Sequence, residues 1–312
     1  MHTRLARGIL VAAAALVIAL PRSSVAAAPR LPALIAHRAG AADAPENTLA
    51  AIRAALAHHS DGIWLSVQLS RDGVAVLYRP ADLSALTPCR GPVASRTAAQ
   101  LARINAGYAF RGGDPAAPWP YRAHPQGIPT LQQALRLIDR RVPVYLDLKS
   151  LPAQPLVAAV ARVLDAERAW STVRLYSTDA RFQQLLAGRA QARLFESRDL
   201  TRWRLFALPL SARCQPPPAG TWMGLELRLP VELTEHFTLG LGSSHFEAQP
   251  WTAASVACMR EAPRVHLLAF AVDSARAYRD AACLGMDAVL VNSPARMQQV
   301  REAAARGLRC GP

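Results

Sequence analysis

Eight short apolar runs, most of them followed by a stretch of helical pattern, constrain what this chain can become. The runs are Ala33–Ala36, Gly62–Val67, Val142–Leu148, Thr172–Tyr176, Ala192–Phe195, Met223–Leu227, Val265–Ala271 and Ala288–Val291. Helical patterns stand between them at Asn47–His58, Thr130–Arg140, Gln154–Ala166, Asp179–Gly188, Ser274–Leu284 and Pro294–Ala305. Strands alternating with helices at this spacing pair in parallel through helical crossovers, and eight such units close a sheet on itself. The fold class read from the sequence is α/β: a single (β/α)8 TIM-type barrel. Residues 74–127 interrupt the alternation with Pro-, Gly- and Arg-rich turns, so a small insertion is expected after the second strand. No internal repeat is present.

Residues 1–28 read as a signal peptide, leaving 29–312 as the barrel domain. Arg4 and Arg7 form a basic start, Gly8 to Leu20 are almost wholly apolar, and Val25-Ala26-Ala27-Ala28 offers a small-residue cleavage site. The apolar core is shorter than the roughly 18 residues a spanning helix needs. The expected product is exported and periplasmic, with an uncleaved anchor as the competing reading. Five cysteines, at 89, 214, 258, 283 and 310, are too widely spaced for a zinc knuckle. In an oxidising compartment they suit two disulfides and one free thiol, with the pairing left open.

The formal charge is +14, and the leader contributes three arginines and no acid, so the rest carries 14 − 3 = +11. A surplus of this size favours anionic ligands or surfaces. The arginines are scattered, without the aromatic-interleaved stripe of a nucleic-acid binder, so nucleic acid is not expected as a partner. Lys149 is the only lysine.

The chemistry concentrates at the end of the first run, Leu34-Ile35-Ala36-His37-Arg38-Ala39-Gly40, followed by Pro45-Glu46-Asn47-Thr48. Polar residues at the C-terminal end of a strand, just before a helix, are where parallel α/β folds build sites. Further on come Asp61-Gly62-Ile63, Gln68-Leu69-Ser70-Arg71-Asp72-Gly73, Gly91-Pro92-Val93, Ile128-Pro129-Thr130-Leu131 and Leu146-Asp147-Leu148-Lys149. Together and in this order they resemble the glycerophosphodiester phosphodiesterase family, barrel enzymes that hydrolyse deacylated phospholipids.

The resemblance implies two catalytic histidines and a Ca²⁺ or Mg²⁺ ion held by three carboxylates, the hard oxygen ligands such ions require. It places His37 and Arg38 at the catalytic position and Glu46 in a supporting one. Where the family carries two strand carboxylates this chain has Trp64 and Ser66, and where it carries the second histidine there is Arg79. An indole cannot ligate a hard cation, and a guanidinium does not exchange protons near neutrality. Asp147 keeps the third carboxylate with a shorter reach, beside Lys149. The expectation is therefore a site with no metal cofactor. Arg38, Arg79 and Lys149 would hold the phosphate and His37 would act as base, with His124, Tyr78 and Asp147 as candidate acids. The expected partner is a small phosphodiester or phospholipid headgroup, with peripheral membrane contact left open and hydrolysis weak or lost. A non-catalytic binding barrel and a purely structural one are the alternatives. Plainer roles compete throughout: Glu46 as a first-turn carboxylate, Asp147 and Lys149 as an ion pair, Trp64 as packing, Arg79 as a solvated rim residue. Asn292-Ser293-Pro294 reads as the cap of the last helix.

Overall fold

The computed structural model describes residues 30–112, 116 and 118–311. The segment read as a signal peptide lies outside them. The strands are β1 (Ala33–His37), β2 (Gly62–Leu69), β3 (Ala75–Leu77), β4 (Val144–Leu148), β5 (Val173–Tyr176), β6 (Trp222–Glu226), β7 (Leu229–Phe237), β8 (Gly240–Ala248), β9 (His266–Phe270) and β10 (Ala288–Val291). The helices are α1 (Leu49–Ala57), α2 (Ala98–Leu101), α3 (Pro120–Ala123), α4 (Leu131–Ile138), α5 (Ala153–Ala166), α6 (Ala180–Leu186), α7 (Arg198–Ser211), α8 (Ala253–Arg260), α9 (Ala275–Cys283) and α10 (Pro294–Gly307).

Parallel pairing runs in the order β5-β4-β2-β1-β10-β9-β6. The fifth apolar run forms no regular strand, yet it joins both ends of this sheet. The Leu175 N–H donates to the Arg193 carbonyl at 2.8 Å, the Phe195 N–H to the Leu175 carbonyl at 2.9 Å, and the Glu196 N–H to the Trp222 carbonyl at 2.9 Å. Closure follows the TIM-type pattern expected from the alternation. Between β2 and β4 the chain turns back as β3, antiparallel to β2, and continues through short helical turns and α2 and α3.

Burial explains why these runs pair. Every residue of β4 and β10 is buried, as parallel strands covered on both faces must be. Outside the sheet, apolar faces such as Leu131, Ala134, Leu135 and Ile138 of α4 cover the strands. Thr48 and Thr130 cap α1 and α4 with their side chains, fixing where each helix begins. Inside the barrel lies an aromatic layer of Trp64, Tyr145, Tyr176, Phe195 and Phe270. Trp64 is its centre, with ring centroids 5.0 Å from Tyr176, 5.4 Å from Phe270 and 5.8 Å from Phe195. The Trp64 indole thus packs the barrel interior.

The sequence reading did not place α7, α8 or the β7–β8 hairpin. The hairpin pairs nine residues with nine and stands apart from the barrel sheet. Its apolar residues Leu233, Phe237, Leu239, Leu241 and Phe246 are exposed.

Two disulfides form, Cys214–Cys258 and Cys283–Cys310, and Cys89 is free. The first pins the segment after α7 to α8 and the second pins the C-terminus to α9. Closing loops with sequence separations of 44 and 27 removes chain entropy from the unfolded state. The loss of both should cost up to about 7 kcal/mol, roughly half per bridge. A thermal melt in reductant is expected to fall well below the oxidised one, and equal melts would contradict the pairing.

Candidate functional site

The chain leaves β1 through a sharp turn: Arg38, Ala39 and Gly40 have φ of 51°, 65° and 92°. Left-handed conformations are costly for non-glycine residues and gather where surrounding structure holds a side chain in place. Gly40 suits the turn because L side chains rarely adopt its φ of 92°, and a Cβ there would also press on the Pro294 ring at 3.1 Å. Asn47, also left-handed at 59°, accepts a 2.9 Å hydrogen bond from the Ser66 N–H through its side chain, tying the turn to β2. The effect is to set His37 and Arg38 at the C-terminal mouth of the barrel.

His37 is held from behind. Asp273 accepts from the backbone N–H and the side-chain amide of Asn292, both at 2.6 Å. That leaves the Asn292 Oδ1 to accept from His37 Nδ1 at 2.8 Å. The arrangement fixes the proton on Nδ1 and leaves the Nε2 lone pair as the acceptor, to which the Arg38 Nε–H donates at 3.2 Å. Burial, then the positive charge of Arg38, lower the His37 pKa from 6.5 to about 4, with Arg79 and Lys149 adding to the effect. The imidazole is neutral at physiological pH.

Around it, the side chains of Arg79, Asp147 and Lys149 share one cavity of about 370 Å³ with His37 and Arg38. Glu46 stands behind Arg38, accepting from its guanidinium at 2.5 Å. Lys149 Nζ lies 2.8 Å from Asp147 Oδ2. Burial pushes the Asp147 carboxyl up, while Lys149 and then the Trp64 indole N–H hold it back. Arg79 is exposed on the rim. Of the site residues expected from the sequence, His37, Arg38, Trp64, Arg79, Asp147 and Lys149 line the cavity, whereas Ser66 is buried and Glu46 touches it only through Arg38.

Neither of two candidate acids reaches the cavity. His124 is exposed at the end of α3, and the Tyr78 hydroxyl donates to the Leu83 carbonyl at 3.0 Å. Among the lining residues that the sequence reading did not assign to the site are Asn292, Arg198 and Glu226. Ser293, one residue on, is the cap of α10, accepting from the Arg296 N–H.

The donor set does not fit a hard divalent ion. Among the described residues no three His, Cys, Asp or Glu side chains gather as ligands. Glu46 Oε1, Asp147 Oδ1 and Ser66 Oγ are buried without hydrogen-bond partners. Yet each of the two carboxylates is already neutralised by a cation within 2.8 Å, and Arg79 adds further repulsion.

The depressed histidine pKa has a measurable consequence. Between pH 6.5 and about 4 the unfolded chain takes up a proton that folded His37 refuses, so this group's share of stability is lost as pH falls through that window. The full loss is at most about 3 kcal/mol. Asp147, shifted up, acts with the opposite sign. The comparison that isolates His37 is wild type against His37→Gln: denaturation at pH 7 and pH 4.5 is expected to show a smaller acid-induced loss in the variant.

The sequence matches the Glycerophosphoryl diester phosphodiesterase family over residues 37–204. It is 46% identical over 272 residues to the uncharacterized protein Rv2277c of Mycobacterium tuberculosis, a match covering 86% of this chain and 90% of that protein. The crystal structure of the glycerophosphoryl diester phosphodiesterase domain of Rv2277c aligns with a TM-score of 0.81 and 44% identity, over 87% of this chain and 100% of that one. A phosphodiesterase from Oleispira antarctica, solved with the product sn-glycerol-3-phosphate, shares the fold at a TM-score of 0.65 and 22% identity, over 87% of this chain and 97% of that one. With more than half of the sequence matched, and a relative aligned along nearly its whole length, this chain belongs to the glycerophosphoryl diester phosphodiesterase family.

Proposed function

We propose that the barrel mouth binds a phosphodiester monoanion of the kind derived from phospholipids, without a divalent ion, and that hydrolysis there is weak or lost. The observation that carries this reading is the pairing of charges around the cavity. Arg38 is paired with Glu46, Lys149 with Asp147, and Arg198 with Glu226. Among the described residues Arg79 has no ion pair. With His37 neutral, one positive charge is left over. A phosphodiester carries one negative charge, whereas a monoester near pH 7 carries close to two. The surplus matches the diester.

His37 Nε2 is the one neutral imidazole nitrogen at the cavity and is the candidate general base. A leaving alkoxide also needs a proton, and no second histidine lines the cavity. Binding with slow turnover, or with none, follows. Export to an oxidising compartment belongs to the same proposal, supported by the two disulfides.

The test is calorimetric titration with sn-glycero-3-phosphoglycerol, with product assayed in parallel, in EDTA and in calcium. Saturable binding equal in both conditions, with slow or no product, is expected. Turnover that requires calcium would overturn the metal-free reading, and the absence of binding would overturn the proposal altogether.

A further inference from the structure

We infer that the N-terminal end of the barrel, opposite the mouth, carries a second binding site, in which Arg140, Arg141, Arg174 and Arg193 take a compact polyphosphate anion.

The four arginines, with Tyr145 and Trp222, line a cavity of about 340 Å³. That is near the small end of ligand pockets, about 300–1,000 Å³. The cavity forms where strands begin. Arg140 and Arg141 precede β4, Arg174 is the second residue of β5, Arg193 stands in the fifth barrel segment, and Trp222 opens β6. Tyr145 pairs in register with Trp64 on one side and with Arg174 on the other. The Trp64 and Tyr145 rings stack at 6.2 Å, and Trp64 lines the mouth. The aromatic layer therefore separates the two cavities.

No acidic side chain among the described residues lines this cavity, and none of its four arginines has an ion pair there. The acids at this end of the barrel, Asp61, Glu167 and Asp287, are taken by Arg301, Arg136 and Arg260. The four guanidiniums donate instead to backbone carbonyls. Arg174 donates to Leu194 at 3.3 Å, Arg193 to Ser171 at 2.6 Å, Arg140 to Glu167 at 3.2 Å, and Arg141 to Leu137 and Ile138. A carbonyl orients a guanidinium without cancelling its charge, and each guanidinium has N–H groups to spare, since it carries five. The carbonyls at the end of α4 attract a cation on their own account, which explains Arg141. They do not explain Arg174. It is half-buried, with its guanidinium 4.0 Å from the centroid of the Trp222 ring. Burial pulls its pKa down to about 10, with Tyr145 opposing the shift and Arg193 adding to it, so it keeps its charge at neutral pH. A half-buried cation beside a like charge and without a counter-ion is costly. A bound anion removes that cost.

Charge density decides which anion. Guanidinium forks meet phosphate oxygens two at a time, and four of them surround a small space. A monophosphate near pH 7 carries close to two charges and would leave part of the set unmatched. A phosphoanhydride chain brings several adjacent phosphates within the same volume. The phosphodiester monoanion suits the mouth, where one positive charge is left over, and not this end.

The experiment titrates inorganic tripolyphosphate, ADP and orthophosphate into the full chain by calorimetry, in EDTA and at about 0.15 M salt, where exposed charges more than about 8 Å apart are largely screened. Tripolyphosphate should bind about 10-fold or more tightly than orthophosphate, and Arg174→Gln/Arg193→Gln should weaken it about 10-fold or more. Two controls should stay within about twofold of the wild type, because distant sites act independently. One is Arg53→Gln/Arg103→Gln, which removes the same charge from exposed positions elsewhere. The other is Arg79→Ala at the mouth. An equal loss in the first control would reduce the effect to net charge and overturn the site. A loss in the second would place the anion at the mouth, and orthophosphate binding as tightly would mean an adventitious ion only; both overturn it too. Binding of tripolyphosphate alone supports the site with a free chain as its ligand, and binding of ADP as well supports it with a chain carried on a nucleoside. Binding of neither overturns it. If the first variant does not fold, Arg141→Gln/Arg193→Gln, with both residues exposed, gives the same comparison, and unchanged affinity there counts against the site.

Discussion

Replacing Arg79 by alanine is expected to weaken phosphodiester binding about 10- to 100-fold while moving the melting temperature little. The asymmetry follows from how the three phosphate-side cations are held. Arg38 and Lys149 each sit on a carboxylate that is itself largely buried, Glu46 and Asp147. Removing either cation leaves a buried charge alone, which costs stability as well as binding. Arg79 is exposed and, among the described residues, has no such partner. Its truncation strands no described charge in the free protein and removes a positive charge that those residues leave unmatched at the cavity. A hydrogen bond to a charged group contributes about 1.5–3 kcal/mol, which sets the expected loss. Titration of sn-glycero-3-phosphoglycerol into wild type and Arg79→Ala, with thermal melts of both, checks the two halves together. Wild-type affinity in the variant would make Arg79 a solvated rim residue and remove the charge argument. Arg38→Ala should differ in kind, losing affinity and stability at once.

How much of this was legible beforehand depends on where a residue sits relative to the repeating unit. His37 and Arg38 were readable because they stand where an apolar run stops, and the mouth of a parallel barrel is made of such places, whereas Asp147 and Lys149, at the end of another run, were named through the family resemblance. Glu226 met the same criterion, since a carboxylate near the end of Met223–Leu227 is as conspicuous as Asp147. What hid it was the lack of a recognised helix after it. Arg198 carried a subtler signal, a cation in a helical first turn, but α7 was itself unread. Asn292-Ser293-Pro294 was read as the cap of the last helix, and the Ser293 hydroxyl does cap it, but the contact of Asn292 with His37 carried no signal of its own. The hairpin was missed for another reason. Leu229, Val231 and Leu233 fall on alternate positions as in a strand, yet the face they form is at most half-buried and Leu233 is exposed. Burial is what normally makes such a pattern decisive. The fifth barrel segment shows the reverse: residues 193–196 pair too briefly for a strand, yet the apolar run was visible because Phe195 must fill the interior.

Restoring carboxylates at the two replaced positions, Trp64→Glu with Ser66→Asp, is expected to give a protein that is marginally folded in EDTA and recovers stability in calcium, whereas the wild type responds to neither. Three terms set the magnitude. Removing the indole from an aromatic layer in which it is 2% exposed costs about 3–5 kcal/mol, the usual range for emptying a large aromatic site. Ser66 is 1% exposed and pairs in register with Asp147, so two new anions would be placed beside a carboxyl whose burial already pushes it up. Their mutual repulsion and desolvation add to the loss. Against a typical total stability of about 5–15 kcal/mol, the variant without metal lies near the unfolding threshold. A divalent ion bound by the two restored carboxylates and Asp147 would reverse part of this, by about 4 kcal/mol at a thousandfold excess over its dissociation constant. Melting curves of both proteins in EDTA and in calcium read this directly. A wild type stabilised by calcium as much as the variant would show that the cations around His37 tolerate a divalent ion after all. A variant as stable in EDTA as the wild type would show that Trp64 is not the centre of the packing. The expected pattern would make the indole and the ion alternative occupants of one place in the barrel, in line with a mouth where Arg79 and Lys149 supply the positive charge.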